Sequence, residues 1–212
     1  MDIARNQTNS LSVAEADLQP VEQAASLPLG VSWQKLMIWI FIVSDGLLFA
    51  GLLAGYGFVR LASPSWPDLS EVFHLPMIAF MTFLLISSSA TMGSAVAAAG
   101  RAQLRTAARF ILFTMAGGLG FLGMQVYEWT SLIREGARLD SNPWGVPTFG
   151  ASFFMITGFH GSHVLSGLVI LGIVAWRLKS GRGTSQGVEL AGLYWHFVDL
   201  VWVFIFALFY LV

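Results

Sequence analysis

Polar and apolar residues are sorted along this chain in long blocks. Five apolar stretches, at about 36–58, 74–98, 107–130, 149–176 and 190–212, alternate with short polar segments. A helix rising about 1.5 Å per residue needs about 20 apolar residues to cross a bilayer, and each stretch meets that length. All seven prolines lie outside the span interiors. Pro76 falls in the first turn of the second stretch, where a missing N–H costs least, and Pro64, Pro67, Pro143 and Pro147 punctuate two loops. The alternating pattern of a membrane β-barrel is absent. The pattern predicts an all-α integral membrane protein built as a five-transmembrane-helix bundle. No internal repeat is visible, and an odd number of spans argues against a two-fold transporter. The chain ends where the fifth span would leave the membrane, so no outer domain is expected after it.

The first 32 residues read differently. Asp2, Arg5, Glu15, Asp17 and Glu22 stand among small polar residues with no apolar run. Residues 1–32 are therefore predicted to be a disordered or extended tail rather than a signal peptide, leaving 33–212 as the membrane domain.

Composition sharpens this reading. Hydrophobic residues make up 56% of the chain and charged residues 11%, against about 25% charged in an ordinary soluble domain. A soluble enzyme is excluded. The net charge of −1 offers no field to recruit nucleic acid. With no cysteine, disulfides, thiol catalysis, Cys-ligated zinc and iron–sulfur clusters are excluded together. The basic residues set the orientation. With the N-terminus in the cytoplasm, Arg5, Lys35, Arg101, Arg105, Arg109, Arg177, Lys179 and Arg182 lie inside, and Arg60, Arg134 and Arg138 lie outside. The expected topology is N-terminus cytoplasmic and C-terminus outside, in a bacterial cytoplasmic (inner) membrane.

Small residues crowd the spans. Gly46, Ala50, Gly51 and Gly55 recur in the first, Ser87, Ser88, Ser89, Thr91 and Gly93 in the second, Gly117, Gly118, Gly120 and Gly123 in the third, and Gly158, Gly161 and Gly167 in the fourth. Small faces let helix backbones approach closely in lipid, which predicts a tightly packed bundle.

Polar groups inside a membrane need partners or roles. The candidates are Asp45, Gln125, Glu128, His160, His163, His196 and Asp199, joined by Glu189 at the start of the fifth span. Gln125/Glu128, His160/His163 and His196/Asp199 are each spaced i, i+3, so each pair shares one side of its helix. Three readings stay open on the residues alone: haem or copper ligation by the histidines, proton relay through Asp45 or Asp199, and a hydrogen-bonded polar core that fixes helix register. Asp45 and Asp199 lie at similar depth, and each is expected to have a hydrogen-bond partner and to avoid lipid. His196 and the serine cluster are the groups in reach of Asp199. No nucleophile stands beside a base, and no phosphate-binding or zinc-protease motif occurs.

Two longer runs carry a resemblance. The fourth span reads Thr157-Gly158-Phe159-His160-Gly161-Ser162-His163-Val164, and the fifth Tyr194-Trp195-His196-Phe197-Val198-Asp199-Leu200-Val201-Trp202. They closely resemble the ATGFHGxHV and YWHFVDxVW segments of subunit III of the haem–copper oxidases. Ser44-Asp45 through Phe49-Ala50-Gly51 is similar to that family's SE…FFAG helix, and Gln125-Val126-Tyr127-Glu128-Trp129 to its QxxEW segment. Matches fall on four of the five spans, in family order.

The resemblance implies an accessory subunit without cofactors of its own, haem and copper residing in partner subunits I and II. Such a subunit packs on subunit I, binds phospholipid, supports proton uptake and protects the complex during oxygen reduction. A small subunit IV is a further expected partner. Lys35 and Arg177 match, by spacing from Asp45 and His163, basic positions that grip lipid phosphate in longer relatives. On this reading His160, His163 and His196 coordinate neither metal nor haem. Two departures stand out. An aspartate, Asp45, replaces the family's buried glutamate, and five spans replace the seven of long members. Short relatives also accompany quinol oxidases and nitric oxide reductases. An independent small membrane carrier is the alternative of a different class.

Overall fold

The computed structural model describes residues 32–211. The expectation of a disordered tail over 1–32 lies outside the described residues except for Ser32. Five long helices account for the five apolar stretches: α1 (Trp33–Ala62), α3 (Leu75–Gly100), α4 (Leu104–Arg134), α5 (Pro147–Lys179) and α6 (Ser185–Phe206), with the short α2 (Leu69–Val72) before α3. A π-helical turn, Ala207–Leu211, continues α6. All five are long and apolar enough to cross a membrane. All but α3 begin or end several residues beyond the apolar run that announces them, because backbone hydrogen bonding continues where side chains turn polar.

Local chemistry marks the ends. Pro76 and Pro147 occupy the first turns of α3 and α5. The Thr184 hydroxyl accepts the Gly187 N–H at 3.1 Å and caps α6. Before α5, the Asn142 amide oxygen accepts from the N–H groups of Trp144 and Val146, and its NH2 donates to the Val146 carbonyl, folding the preceding loop.

Contacts gather into one unit over Ile42–Val212 and another over Met1–Phe41, of which only the start of α1 is described. In that first part, the Lys35 amide lies 3.4 Å from the Ser32 hydroxyl.

Within the larger unit α3 and α4 form the closest pair, because small residues face each other. A Cβ placed on Gly117 would lie 2.8 Å from Ser88 Cβ. Large aromatics use the same small surfaces. A Cβ on Gly118 would sit 2.5 Å from the Trp195 ring, and one on Gly158 2.8 Å from the Trp129 ring. Gly51, Gly55 and Gly123 behave otherwise, with nothing within 4 Å of an added Cβ. In the first span Gly46 faces the Phe197 ring, 3.6 Å from an added Cβ, whereas the Gly51/Gly55 spacing meets no other described helix. Helix α1 buries only a stripe, Asp45, Phe49 and Tyr56. Phe49 meets Phe159 (ring centroids 5.0 Å) and His163 (5.4 Å), and Tyr56 stacks on Phe209 at 3.9 Å. The remaining core gathers around Trp195 and Trp202, both 0% exposed.

Candidate functional site

Most of the polar side chains predicted to turn inward fall into three groups. The first joins α1, α5 and α6. Asp45, 8% exposed, places Oδ2 3.3 Å from His163 Nε2. The other ring nitrogen, Nδ1, lies 2.8 Å from the Phe159 carbonyl. A carbonyl only accepts, so Nδ1 carries a hydrogen; the Asp45 contact is of ion-pair length, and Oδ2 makes no hydrogen bond of good geometry among the described residues. Tyr194 closes the group. Its hydroxyl lies 2.6 Å from Ser166 Oγ and donates toward the His163 carbonyl at 3.2 Å. Ser166 and Tyr194 were not singled out from sequence. The YWHFVD run contains Tyr194, but only the helix crossing reveals what its hydroxyl meets.

The second group joins α3 and α6. Ser89 Oγ lies 2.6 Å from His196 Nδ1. Asp199 is 5% exposed, so it avoids lipid as expected. Ser89, from the serine cluster expected to reach it, approaches the Asp199 carboxyl, yet neither carboxylate oxygen makes a hydrogen bond of good geometry among the described residues. The Ser89 hydroxyl is committed to the shorter contact with His196. One i, i+3 pair thus shares a helix side while only its histidine is bonded. Neighbouring hydroxyls are spent likewise, Ser88 accepting the Trp195 indole N–H at 3.1 Å and Thr82 that of Trp202 at 3.0 Å.

The third group joins α4, α5 and the π-helical turn. Gln125 donates its amide N–H to the Thr157 carbonyl at 2.9 Å, and the Trp129 indole N–H donates to Thr157 Oγ1 at 3.2 Å. Glu128 Oε2 accepts from the Tyr210 hydroxyl at 3.3 Å, while Oε1 has no hydrogen-bond partner among the described residues. Thr157 and Tyr210 were also missed from sequence. A threonine or a terminal tyrosine carries no signal until its neighbour is known.

The remaining candidates stand apart. His160 is 0% exposed, and among the described residues neither ring nitrogen has a hydrogen-bond partner. The ring lies edge-on to Phe121 (5.8 Å, 88°) and tilted on Trp202 (5.1 Å). Glu189 is half-exposed near the start of α6, outside the buried groups. Lys35 lies half-exposed in the first turn of α1, and Arg177 is exposed in the last turn of α5. Among the described residues, no three His, Cys, Asp or Glu side chains converge as a metal-ligand set.

The two aspartates should respond differently to substitution. Asp45→Ala strands His163 Nε2 in an apolar setting and is expected to cost about 1–3 kcal/mol. Asp199→Ala removes a buried carboxyl whose oxygens make no well-formed hydrogen bond among the described residues, and it should cost less than Asp45→Ala. Thermal unfolding of the detergent-solubilised variants measures both. Equal losses would mean that Asp199 has a partner of its own.

Comparison with known proteins agrees with these motifs. The family model described as Cytochrome c oxidase subunit III matches residues 22–212. The quinol oxidase subunit 3 of Bacillus spizizenii is 37% identical over 178 residues, covering 82% of this chain and 84% of the relative. The cytochrome c oxidase subunit 3 of Bacillus sp. strain PS3 is 33% identical over 176 residues, covering 82% and 83%. That of Thermostichus vulcanus is 35% identical over 183 residues, covering 84% and 87%.

Proposed function

Because the chain belongs to the cytochrome c oxidase subunit III family, we propose that it serves as the accessory subunit III of a respiratory haem–copper terminal oxidase in a bacterial cytoplasmic membrane. The single observation that carries this reading is the family match across residues 22–212, which includes all five spanning helices. In this proposal haem and copper sit in subunits I and II. The chain packs on subunit I, with a small subunit IV as a further neighbour, and its N-terminus is cytoplasmic and its C-terminus outside. The excess of basic residues on one set of loops supports that orientation.

Proton support rests on the first polar group. Asp45 and His163 stand at ion-pair distance inside the membrane, and Tyr194 and Ser166 extend hydroxyls from them along α5 and α6. Such a group can take up and release a proton without moving a helix. Glu128, Asp199 and His160 then serve register and packing, the polar-core reading. Lys35 and Arg177, at helix ends, are proposed to meet phospholipid headgroups.

A second reading has its own observation. One of the relatives reported above is a quinol oxidase subunit and two are cytochrome c oxidase subunits, at similar identity. The electron donor of the complex is thus quinol or cytochrome c, and a nitric oxide reductase partner is the remaining variant.

Affinity purification of the full chain from its membrane tests the assignment. A haem spectrum should co-elute with it, and Asp45→Asn should slow steady-state turnover while the subunit stays in the complex. A haem-free monomer with transport activity would overturn the oxidase reading in favour of an independent carrier. Unchanged turnover in an intact Asp45→Asn complex would remove Asp45 from proton uptake.

A further inference from the structure

Along the crossing of α4 and α5, two cavities of about 530 Å³ and about 360 Å³ share Trp129 and Gly158 and form one groove. Its lining is almost wholly apolar. The rims, Val126 and Ile133 on α4 and Met155 and Leu165 on α5, are each more than half exposed. Between them the floor is Gly158 and Gly161, one helical turn apart and without side chains. On α5 the groove runs from Phe154 to Leu165, about 16 Å at 1.5 Å per residue.

One buried amide opens onto this groove. Gln125 is 4% exposed, and its NH2 donates to the Thr157 carbonyl at 2.9 Å. A carbonyl only accepts, so the amide orientation is fixed and Oε1 is left as an acceptor. Among the described residues no donor meets it. A Cβ added to Gly161 would lie 3.5 Å from Oε1, so the missing side chain at Gly161 is what leaves this oxygen at the groove floor. Depth decides what can answer it. Gly161 lies near the midpoint of α5 and Gln125 about 9 Å from that of α4, both inside a hydrocarbon layer about 30 Å thick. Bulk water does not reach that level, and an acyl chain carries no donor. Membrane amphiphiles keep their hydroxyls at the interface. A side chain of another spanning helix brings an O–H or N–H donor to this depth and holds it there, as Ser, Thr and Asn do across helix pairs. Gly158, Gly161 and Ser162 are small enough to let such a helix approach closely.

We infer that the groove seats a transmembrane helix of another subunit, apolar along its length and carrying one serine, threonine or asparagine whose donor reaches Gln125 Oε1. Such a seat requires that the chain is one subunit of a membrane complex, the reading proposed above, but no particular electron donor.

The full chain carrying Val126→p-benzoylphenylalanine or Leu165→p-benzoylphenylalanine is purified in mild detergent with the subunits it retains, irradiated, and digested for mass spectrometry. Both rim positions should label the same spanning segment of one other subunit, within a helical turn of a serine, threonine or asparagine. Gly161→Ala places a methyl group 3.5 Å from Oε1, an ordinary contact for the fold but a screen over the acceptor. It should leave the yield of folded chain unchanged and lower the amount of that subunit retained about ten-fold, the loss of one interhelical hydrogen bond. Val126→Trp, on the exposed rim, should act in the same direction by bulk, and it keeps the test valid if Gly161→Ala disturbs the helix pair. Labels on phospholipid or quinone alone, or on a second copy of this chain, would overturn the inference, as would full retention of the subunit in both variants. A labelled segment without any side-chain donor would overturn it too, since Gln125 would stay unmet. A chain that purifies without any other subunit would overturn the oxidase reading itself, whereas an intact complex labelled only on lipid overturns the groove alone.

Discussion

Trp202→Ala should produce the largest loss of stability of any single substitution in this chain, about 3–5 kcal/mol. The indole is 0% exposed and sits where α3, α4, α5 and the π-helical turn converge on α6. Its ring lies 4.6 Å from Phe121, edge to face, 5.1 Å from His160 and 6.2 Å from Tyr210, and its N–H donates to Thr82 Oγ1 at 3.0 Å. Alanine leaves a void beside His160, whose two ring nitrogens already lack partners. Lipid cannot fill that void, since the site is closed on all sides by protein. Trp202→Phe keeps most of the ring and loses the hydrogen bond, so about 1–2 kcal/mol is expected. Thermal unfolding in detergent, followed by retention in the purified complex, measures both. A Trp202→Ala variant as stable as the unaltered protein would show that the aromatic cluster does not hold the helices together.

Gly118→Ala should be the most damaging substitution that adds a single carbon. The new Cβ would stand 2.5 Å from Trp195 Cη2 and 3.0 Å from Leu168 Cδ2. Both neighbours are buried and belong to other helices, so the clash is relieved only by moving α4 away from α5 and α6. Overpacking of this kind costs about 1–3 kcal/mol. Gly123→Ala on the same helix is the control, because nothing lies within 4 Å of its added Cβ. It should be neutral or slightly stabilising, alanine being the better helix former by about 1 kcal/mol. The difference between two identical changes isolates packing from helix propensity. Equal melting temperatures for the two variants would refute the packing of the Trp195 ring against Gly118.

Gly118 and Gly123 also show where sequence reading stops. Both belong to one glycine-rich run, and spacing alone gives them the same expectation of close packing. One lies under an indole and the other in open space. The first span makes the same point: Gly51 and Gly55 have the spacing of a helix-contact motif, yet among the described residues nothing lies within 4 Å of a Cβ added to either. Composition tells that a helix has a small face, but the azimuth of its neighbour decides whether that face is covered.

The candidate site divides in the same way. Asp45, Gln125, Glu128, His160 and Asp199 were legible as buried groups, because a charged or amide side chain inside an apolar run has few other places to go. Their partners were not legible. His163 and Asp45 are separated by more than a hundred residues and meet because α1 lies against α5 at the right height. His196 and Asp199, one turn apart, were expected to work together, yet Ser89 makes its short contact with the histidine and only approaches the carboxyl, whose oxygens make no well-formed hydrogen bond among the described residues.

Sequence alone determined the class of the protein, its five spans, the inward placement of its buried carboxyls and, through two signature runs, the family. Each of these follows from quantities that are local along the chain: the length of an apolar run set against bilayer thickness, the cost of a charge in lipid, and the identity of consecutive residues. The tertiary structure decided which hydroxyl meets which histidine, which glycine lies under a tryptophan, and that Gln125 and Gly161 line one groove. Those outcomes depend on the rotation and relative height of neighbouring helices, and the 3.6-residue period fixes the faces of one helix without fixing how the next is turned.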